Sequence, residues 1–143
     1  MDASTIKHLY SYNKQMVNCV KTLKQEVTKL IKSIALAYRK TGLTREEYNK
    51  YWKEQHGPLA ARLIPGLRKY VQNHFVPIPG REYEGDGIVE MWYDDVEAFQ
   101  KSMEFIHSEA GKALALDGAK FAEMRGGLWV VEEHVIKDDL SKK

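Results

Sequence analysis

The segment on which the fold turns opens with Thr44-Arg45-Glu46-Glu47-Tyr48 and closes with His56-Gly57-Pro58. Thr44 and Glu47 have the spacing of a capping box, in which the hydroxyl accepts from a free amide of the first turn and the carboxylate reaches back to the cap. A helix therefore starts here, with Tyr48, Tyr51, Trp52 and, one turn further, His56 along its apolar face. Gly57 and Pro58 are expected to end it, which puts His56 at the C-terminal end.

Before this helix, residues 30–38 alternate. Leu30, Ile34, Leu36 and Tyr38 lie on one face, with Ile31, Ser33, Ala35 and Ala37 on the other, the pattern of a first strand buried on both sides. After it, Leu59 to Leu63 forms a short helical turn, and Ile64-Pro65-Gly66 connects to a second strand over residues 67–76. Period two sets Tyr70, Gln72 and His74 on one face of that strand, and Leu67, Val71, Asn73 and Phe75 on the other. Residues 77–87 carry three glycines and two prolines and read as a surface loop, followed by a third strand over residues 88–93.

Asp94 or Asp95 caps a helix through Val96, Phe99, Met103 and Phe105, and a further helical stretch covers residues 108–121. Gly126 and Gly127 are expected to stop it before a fourth strand over residues 128–136. The order βαββαβ is that of an α+β ferredoxin-like fold, a four-stranded antiparallel sheet with two helices on one face. Trp129 or Val131 would leave the other face apolar unless a second copy covers it, so two sheets closing face to face into a dimeric α+β barrel are expected.

Ahead of this domain, Ile6, Leu9, Met16, Val20, Leu23 and Val27 follow steps of three and four, an amphipathic helix that either packs along its own domain or forms an arm. The expected organisation is a helical extension at 1–27, the ferredoxin-like domain at 28–137 and a charged tail at 138–143.

Composition narrows the function classes. The chain has 143 residues, 43% hydrophobic, enough for one domain with a modest core. Its 22 basic and 20 acidic side chains are interspersed, with a net charge of +2, which argues against nucleic acid as a partner. Cys19 is the single cysteine, so there is no internal disulfide and no thiolate metal cluster, and a reducing cytoplasm is the expected compartment. No apolar run approaches the roughly 20 residues of a membrane span, so no membrane partner is expected. A Gly-rich dinucleotide fingerprint, a phosphate loop, a serine nucleophile elbow and a paired-histidine metal helix are all missing from the sequence, and neither a cofactor nor a metal is signalled.

Tyr38-Arg39-Lys40, Gly42-Leu43-Thr44, Tyr51-Trp52, His56-Gly57-Pro58-Leu59, Pro65-Gly66-Leu67, Tyr70 and Gln72-Asn73-His74 occur in an order that resembles the EthD family of dimeric α+β barrels. Asp86-Gly87-Ile88, Trp92, Asp94-Asp95 and Val130-Val131-Glu132-Glu133-His134 continue the resemblance, which covers about residues 28–136. It implies a homodimer with a pocket in each subunit between sheet and helices. It also implies an association with cyclases, dehydratases, decarboxylases and cofactor-free oxygenases of aromatic polyketide metabolism, without fixing one reaction.

His56 and His74 are the candidates for moving a proton near neutral pH, with Tyr70 on the strand face of His74. Each has a structural alternative: His56 as a helix-terminating imidazole at the negative end of the dipole, His74 as a strand residue packed beside Tyr70. Tyr48, Trp52, Trp92 and Phe121 are expected as core and pocket wall, and Asn73 as a substrate contact that needs a bulge to turn toward His74. His134 reads as a surface or dimer-seam residue.

The expected chemistry is proton abstraction next to a carbonyl in an aromatic or polyketide-like ligand, with His56 or His74 as base and Tyr70 or Asn73 steadying the enolate. The resulting enolate could cyclise, lose water, lose carboxylate or meet oxygen. A cofactor-free monooxygenase and a non-catalytic small-ligand-binding dimer are the alternatives.

Overall fold

The computed structural model describes residues 30–140. The helical extension expected at 1–27 lies outside the described residues, as does the end of the charged tail. Strand β1 (Ile31–Arg39) is followed by helix α1 (Arg45–Tyr51), a π-helical turn at Trp52–His56 and helix α2 (Gly57–Leu63). Strands β2 (Lys69–His74) and β3 (Gly87–Tyr93) come next, then helix α3 (Val96–Ile106), a 3₁₀ turn at Glu109–Gly111 and helix α4 (Lys112–Phe121). The chain ends in β4 (Ala122–Glu123) and β5 (Leu128–Glu132).

The sheet is antiparallel in the order β2-β3-β1, with β4 and β5 sharing the far edge of β1. This is the ferredoxin-like α+β arrangement read from the sequence. The capping box forms as expected: Thr44 Oγ1 accepts from the Glu47 N–H at 3.1 Å, and a Glu47 carboxylate oxygen accepts from the Thr44 N–H at 2.8 Å. Asp95, rather than Asp94, caps α3 by accepting from the Ala98 N–H at 2.8 Å.

Two expectations need correction. Gly57-Pro58 does not end the first helix. The Gly57 N–H reaches back five residues to the Trp52 carbonyl, and the chain continues helically to Leu63 with Pro58 in the first turn of α2. One residue is absorbed as a π turn, and proline then sits where its missing N–H costs little. Glycine suits this close approach, since a Cβ at position 57 would lie 2.5 Å from Gln72 Nε2 and 3.0 Å from the Trp52 carbonyl oxygen and would push the Gln72 amide aside. His56 is consequently inside a continuous helical run and not at the negative end of a helix.

The last strand is also shorter than expected and split. Ala122 and Glu123 pair with Arg39 and Tyr38, and Leu128 to Glu132 pair with Ala35 to Ile31. Between the two pieces Gly126 takes φ +101°, and a Cβ there would meet the Tyr38 ring at 2.7 Å. Helix α4 thus ends because β1 offers a strand partner at once, before the two glycines are reached.

Ile31, Ser33, Ala35 and Ala37 stand opposite Tyr93, Met91, Val89 and Gly87 and share the helix side of the sheet. Two core clusters form on that side. Ala60, Ile64, Tyr93 and Leu114 make one, and Tyr48, Trp52 and Phe121 the other. Each large side chain so buried contributes on the order of 1.5–3 kcal/mol.

The opposite face is polar at its centre. Lys32, only 7% exposed, donates to Glu90 at 2.7 Å and to Glu133, with Nζ 4.7 Å from the Trp92 ring centre. Burial alone would lower the Lys32 pKa, but the hydrogen bonds and charges of these two carboxylates hold the ammonium above its usual range. Farther out on this face Trp129 is 52% exposed. No helix among the described residues is long and apolar enough to cross a membrane.

Candidate functional site

A cavity of about 650 Å³ opens between the helix side of the sheet and the helices. Its lining includes His56, Tyr48, Trp52, Tyr70, Leu114 and Phe121. Exposed members of the lining, among them His107, Met124, Arg125 and Leu128, mark its open side.

The π turn presents His56 against α4. His56 Nδ1 lies 2.9 Å from Asp117 Oδ2, and the other Asp117 oxygen accepts from the Tyr51 hydroxyl at 2.7 Å. Lys120 stands 3.5 Å from the same carboxylate. Burial pushes the Asp117 pKa up, but the hydrogen bonds from Tyr51 and His56 outweigh it, and the carboxyl is held below its ordinary range. A charged carboxylate can only accept, so His56 Nδ1 carries a proton, and in the neutral imidazole the lone pair is on Nε2. Phe121 packs on the imidazole at a ring separation of 4.9 Å.

Tyr70 reaches the same cavity from β2. Its hydroxyl oxygen accepts from the Trp52 indole N–H at 2.9 Å and from the Gln72 amide at 3.1 Å. With its oxygen occupied by two donors, the phenol's own proton is the group left to offer a ligand. Burial pushes the Tyr70 pKa up, against the pull of the Gln72 and Trp52 hydrogen bonds. Tyr48 is 0% exposed, its hydroxyl has no hydrogen-bond partner among the described residues, and burial followed by the Asp86 and Tyr70 charges raises its pKa far above the tyrosine range.

The other residues singled out in the sequence lie elsewhere. His74 stacks on the Trp52 indole, ring centres 4.7 Å apart, and faces a separate polar hollow beside Arg45 and Lys53. Its Nε2 is 3.0 Å from Gln72 Oε1, so His74 donates to the amide whose nitrogen serves Tyr70. Burial and then the Lys53 charge lower the His74 pKa.

Asn73 remains on the opposite face of a regular strand, donating to Glu90 at 2.9 Å and to the Ile88 carbonyl at 3.2 Å. No bulge turns it toward His74. Trp92 is on that face too, with Lys69 Nζ 4.4 Å from its ring centre. His134 lies past the end of β5, exposed and 3.5 Å from Glu132.

Asp117, Gln72 and Tyr51 complete the arrangement, and the sequence reading assigned none of them a role. Asp117 did leave a signal: it interrupts the stripe Leu114, Gly118 and Phe121 that α4 turns inward. Among the described residues no group of three or more His, Cys, Asp or Glu side chains is placed to hold a metal ion.

The EthD domain family matches residues 40–125. Among solved structures, an ethyl tert-butyl ether D (EthD) family protein from Bacillus halodurans is similar at 31% identity and TM-score 0.55, over 73% of this chain and 99% of that one. An EthD-like protein from Ralstonia eutropha is similar at 19% identity and TM-score 0.59, over 78% and 97% of the two chains. A dimeric protein of unknown function and ferredoxin-like fold from Bacteroides fragilis follows at 15% identity and TM-score 0.51, over 73% and 97%. No curated protein matches the chain.

Proposed function

The chain belongs to the EthD family, and from that premise we propose that it is a small cofactor-independent enzyme that removes a proton next to a carbonyl in an aromatic or polyketide-like substrate, with His56 as base. The observation that carries this reading is the 2.9 Å contact between His56 Nδ1 and Asp117, which in the neutral imidazole puts the lone pair on Nε2 of a side chain that lines the cavity. A carboxylate behind an imidazole fixes the tautomer and stabilises the imidazolium that forms when the proton arrives. The Tyr70 hydroxyl supplies the second half of the chemistry, a donor for the enolate oxygen.

His56 is favoured over His74 as the base because His74 spends Nε2 on Gln72 and faces a different hollow. Trp52, Tyr48 and Phe121 serve as apolar wall for the ring system. The enolate's fate, by cyclisation or dehydration or by reaction with oxygen, is read by product analysis and by oxygen uptake during turnover.

We further propose that the working unit is a homodimer closed over the open sheet face. The exposed Trp129 beside the central Lys32 cluster supports it, as does the description of the Bacteroides fragilis protein as dimeric.

Proton abstraction can be followed without knowing the product. Anthrone, an aromatic ketone with an acidic C–H, is incubated in heavy water and its hydrogen exchange followed by NMR. The native protein should accelerate exchange and His56→Ala should lose the acceleration. Equal rates with both proteins would defeat the proposal. A ligand that binds and returns with no exchange would favour a carrier.

A further inference from the structure

The charges around the cavity limit what it can hold. Of the side chains that line it, Glu123, Arg125, His56 and His107 are ionisable apart from the tyrosines. Arg125 is the single permanent cation among them, and its charge is already engaged: Nε lies 2.9 Å from Glu123, and the guanidinium stacks 4.2 Å from the Tyr38 ring centre. Glu123 is also held by the Thr41 hydroxyl at 2.8 Å. His107, on the exposed side, has Nδ1 on the Met103 carbonyl at 2.7 Å.

The polar groups converge on the Trp52 and Phe121 side of the cavity. Trp52 donates to Tyr70, and Phe121 packs against both Tyr48 and His56. Behind His56 at that end sits the Asp117 carboxylate, with the exposed Lys120 ammonium 3.5 Å from it. What that end offers a ligand is the Tyr70 hydroxyl and the His56 imidazole, and among the described lining residues no permanent cation lacks a carboxylate partner.

We propose that the cavity selects an uncharged flat ligand with a hydroxyl or keto group at one end and rejects the corresponding carboxylate. An ionised carboxylate placed here would lose its hydration, find the one permanent cation of the lining, Arg125, already paired with Glu123, and approach an imidazole that already has a carboxylate behind it. A neutral carbon acid meets none of these costs. When its C–H bond breaks, the proton goes to His56 Nε2 and the electron pair stays on the enolate oxygen, so the new anion forms beside the imidazolium created in the same step. The inference rests on the proposed use of this cavity. It removes decarboxylation of a free acid from the reactions open to the enzyme and leaves cyclisation, dehydration and oxygenation of a neutral ketone.

The test compares three ligands with one ring system at neutral pH by calorimetry: naphthol, naphthoate and methyl naphthoate. The ester keeps the acid's shape and removes its charge. Naphthol and the ester should bind at least about tenfold more tightly than naphthoate. Tyr70→Phe should weaken naphthol and leave naphthoate unchanged, which ties the binding to this cavity. Naphthoate binding as tightly as the ester would overturn the inference while leaving the cavity as the ligand site. Binding of none of the three, or naphthol affinity unmoved by Tyr70→Phe, would overturn the cavity reading and the inference with it.

Discussion

His56 on the π turn and Asp117 on α4 meet at 2.9 Å, and the Tyr51 hydroxyl closes the far side of the carboxylate at 2.7 Å. An asparagine at 117 can present its amide to His56 in either sense and removes the charge that opposes imidazolium loss. Asp117→Asn should therefore lower kcat on a converted substrate by on the order of a hundredfold or more, with ligand affinity little changed. Kinetics set beside calorimetry on one ligand would check it, and an affinity loss equal to the kcat loss would refute the positioning role.

The same carboxyl gives an acid-side signature. Its folded pKa lies below the unfolded one, so its contribution to stability is present above the ordinary aspartate range and is lost as pH falls through the folded value. Asp117→Asn should be less stable than the native protein at neutral pH by about 1–3 kcal/mol. The difference should narrow in acid. Urea midpoints at two pH values measure it.

Gln72 Nε2 binds the Tyr70 hydroxyl at 3.1 Å and the Trp52 carbonyl at 2.9 Å, and it occupies the place of a side chain at Gly57. Gln72→Leu removes one of the two hydrogen bonds that pull the Tyr70 pKa down, so that pKa should rise further. Carbon-13 NMR of labelled tyrosine would show it. Gly57→Ala, which drives a methyl into the amide, should cost about 1–3 kcal/mol in urea denaturation.

On the open face, Lys32→Met removes the ammonium that Glu90 and Glu133 share. Leaving the carboxylates facing each other should destabilise the fold by about 3 kcal/mol. The native Lys32 pKa is raised, so its contribution is fully present below the ordinary lysine range and is lost as pH rises through the folded value. The native and Lys32→Met proteins should accordingly converge in stability at strongly alkaline pH, which a pH series of thermal midpoints would test.

Trp129 offers a direct probe of assembly. Trp129→Glu places a charge on the face proposed to close against a second copy, at a position 52% exposed in the isolated chain. Sedimentation should report a dimer for the native protein and a folded monomer for the variant. A native monomer would rule out the closed pair.

What could be read from the sequence was local. Thr44 and Glu47 specify a helix start within four residues, and alternation alone set Tyr70, Gln72 and His74 on one face of β2 with Asn73 on the other. What could not be read depends on distant partners. Gly57-Pro58 looks like a stop until Gln72, fifteen residues on, supplies a donor to the Trp52 carbonyl. The short β4 exists because Tyr38 and Arg39 lie beside the end of α4. Asp117 is one acid on a helix, and only the partner on the π turn distinguishes it from a solvated one.

The π turn has a consequence for how this site tolerates change. One extra residue between Tyr51 and Gly57 advances every later side chain by roughly 100° around the helix axis. Deleting a residue there would restore ordinary helical spacing, yet it would swing His56 away from Asp117 and bring Gln72 against a different carbonyl. The chemistry of the cavity is thus tied to chain length as well as residue identity. A homologue with every named side chain intact but one residue fewer in this turn would keep the fold and lose the pairing.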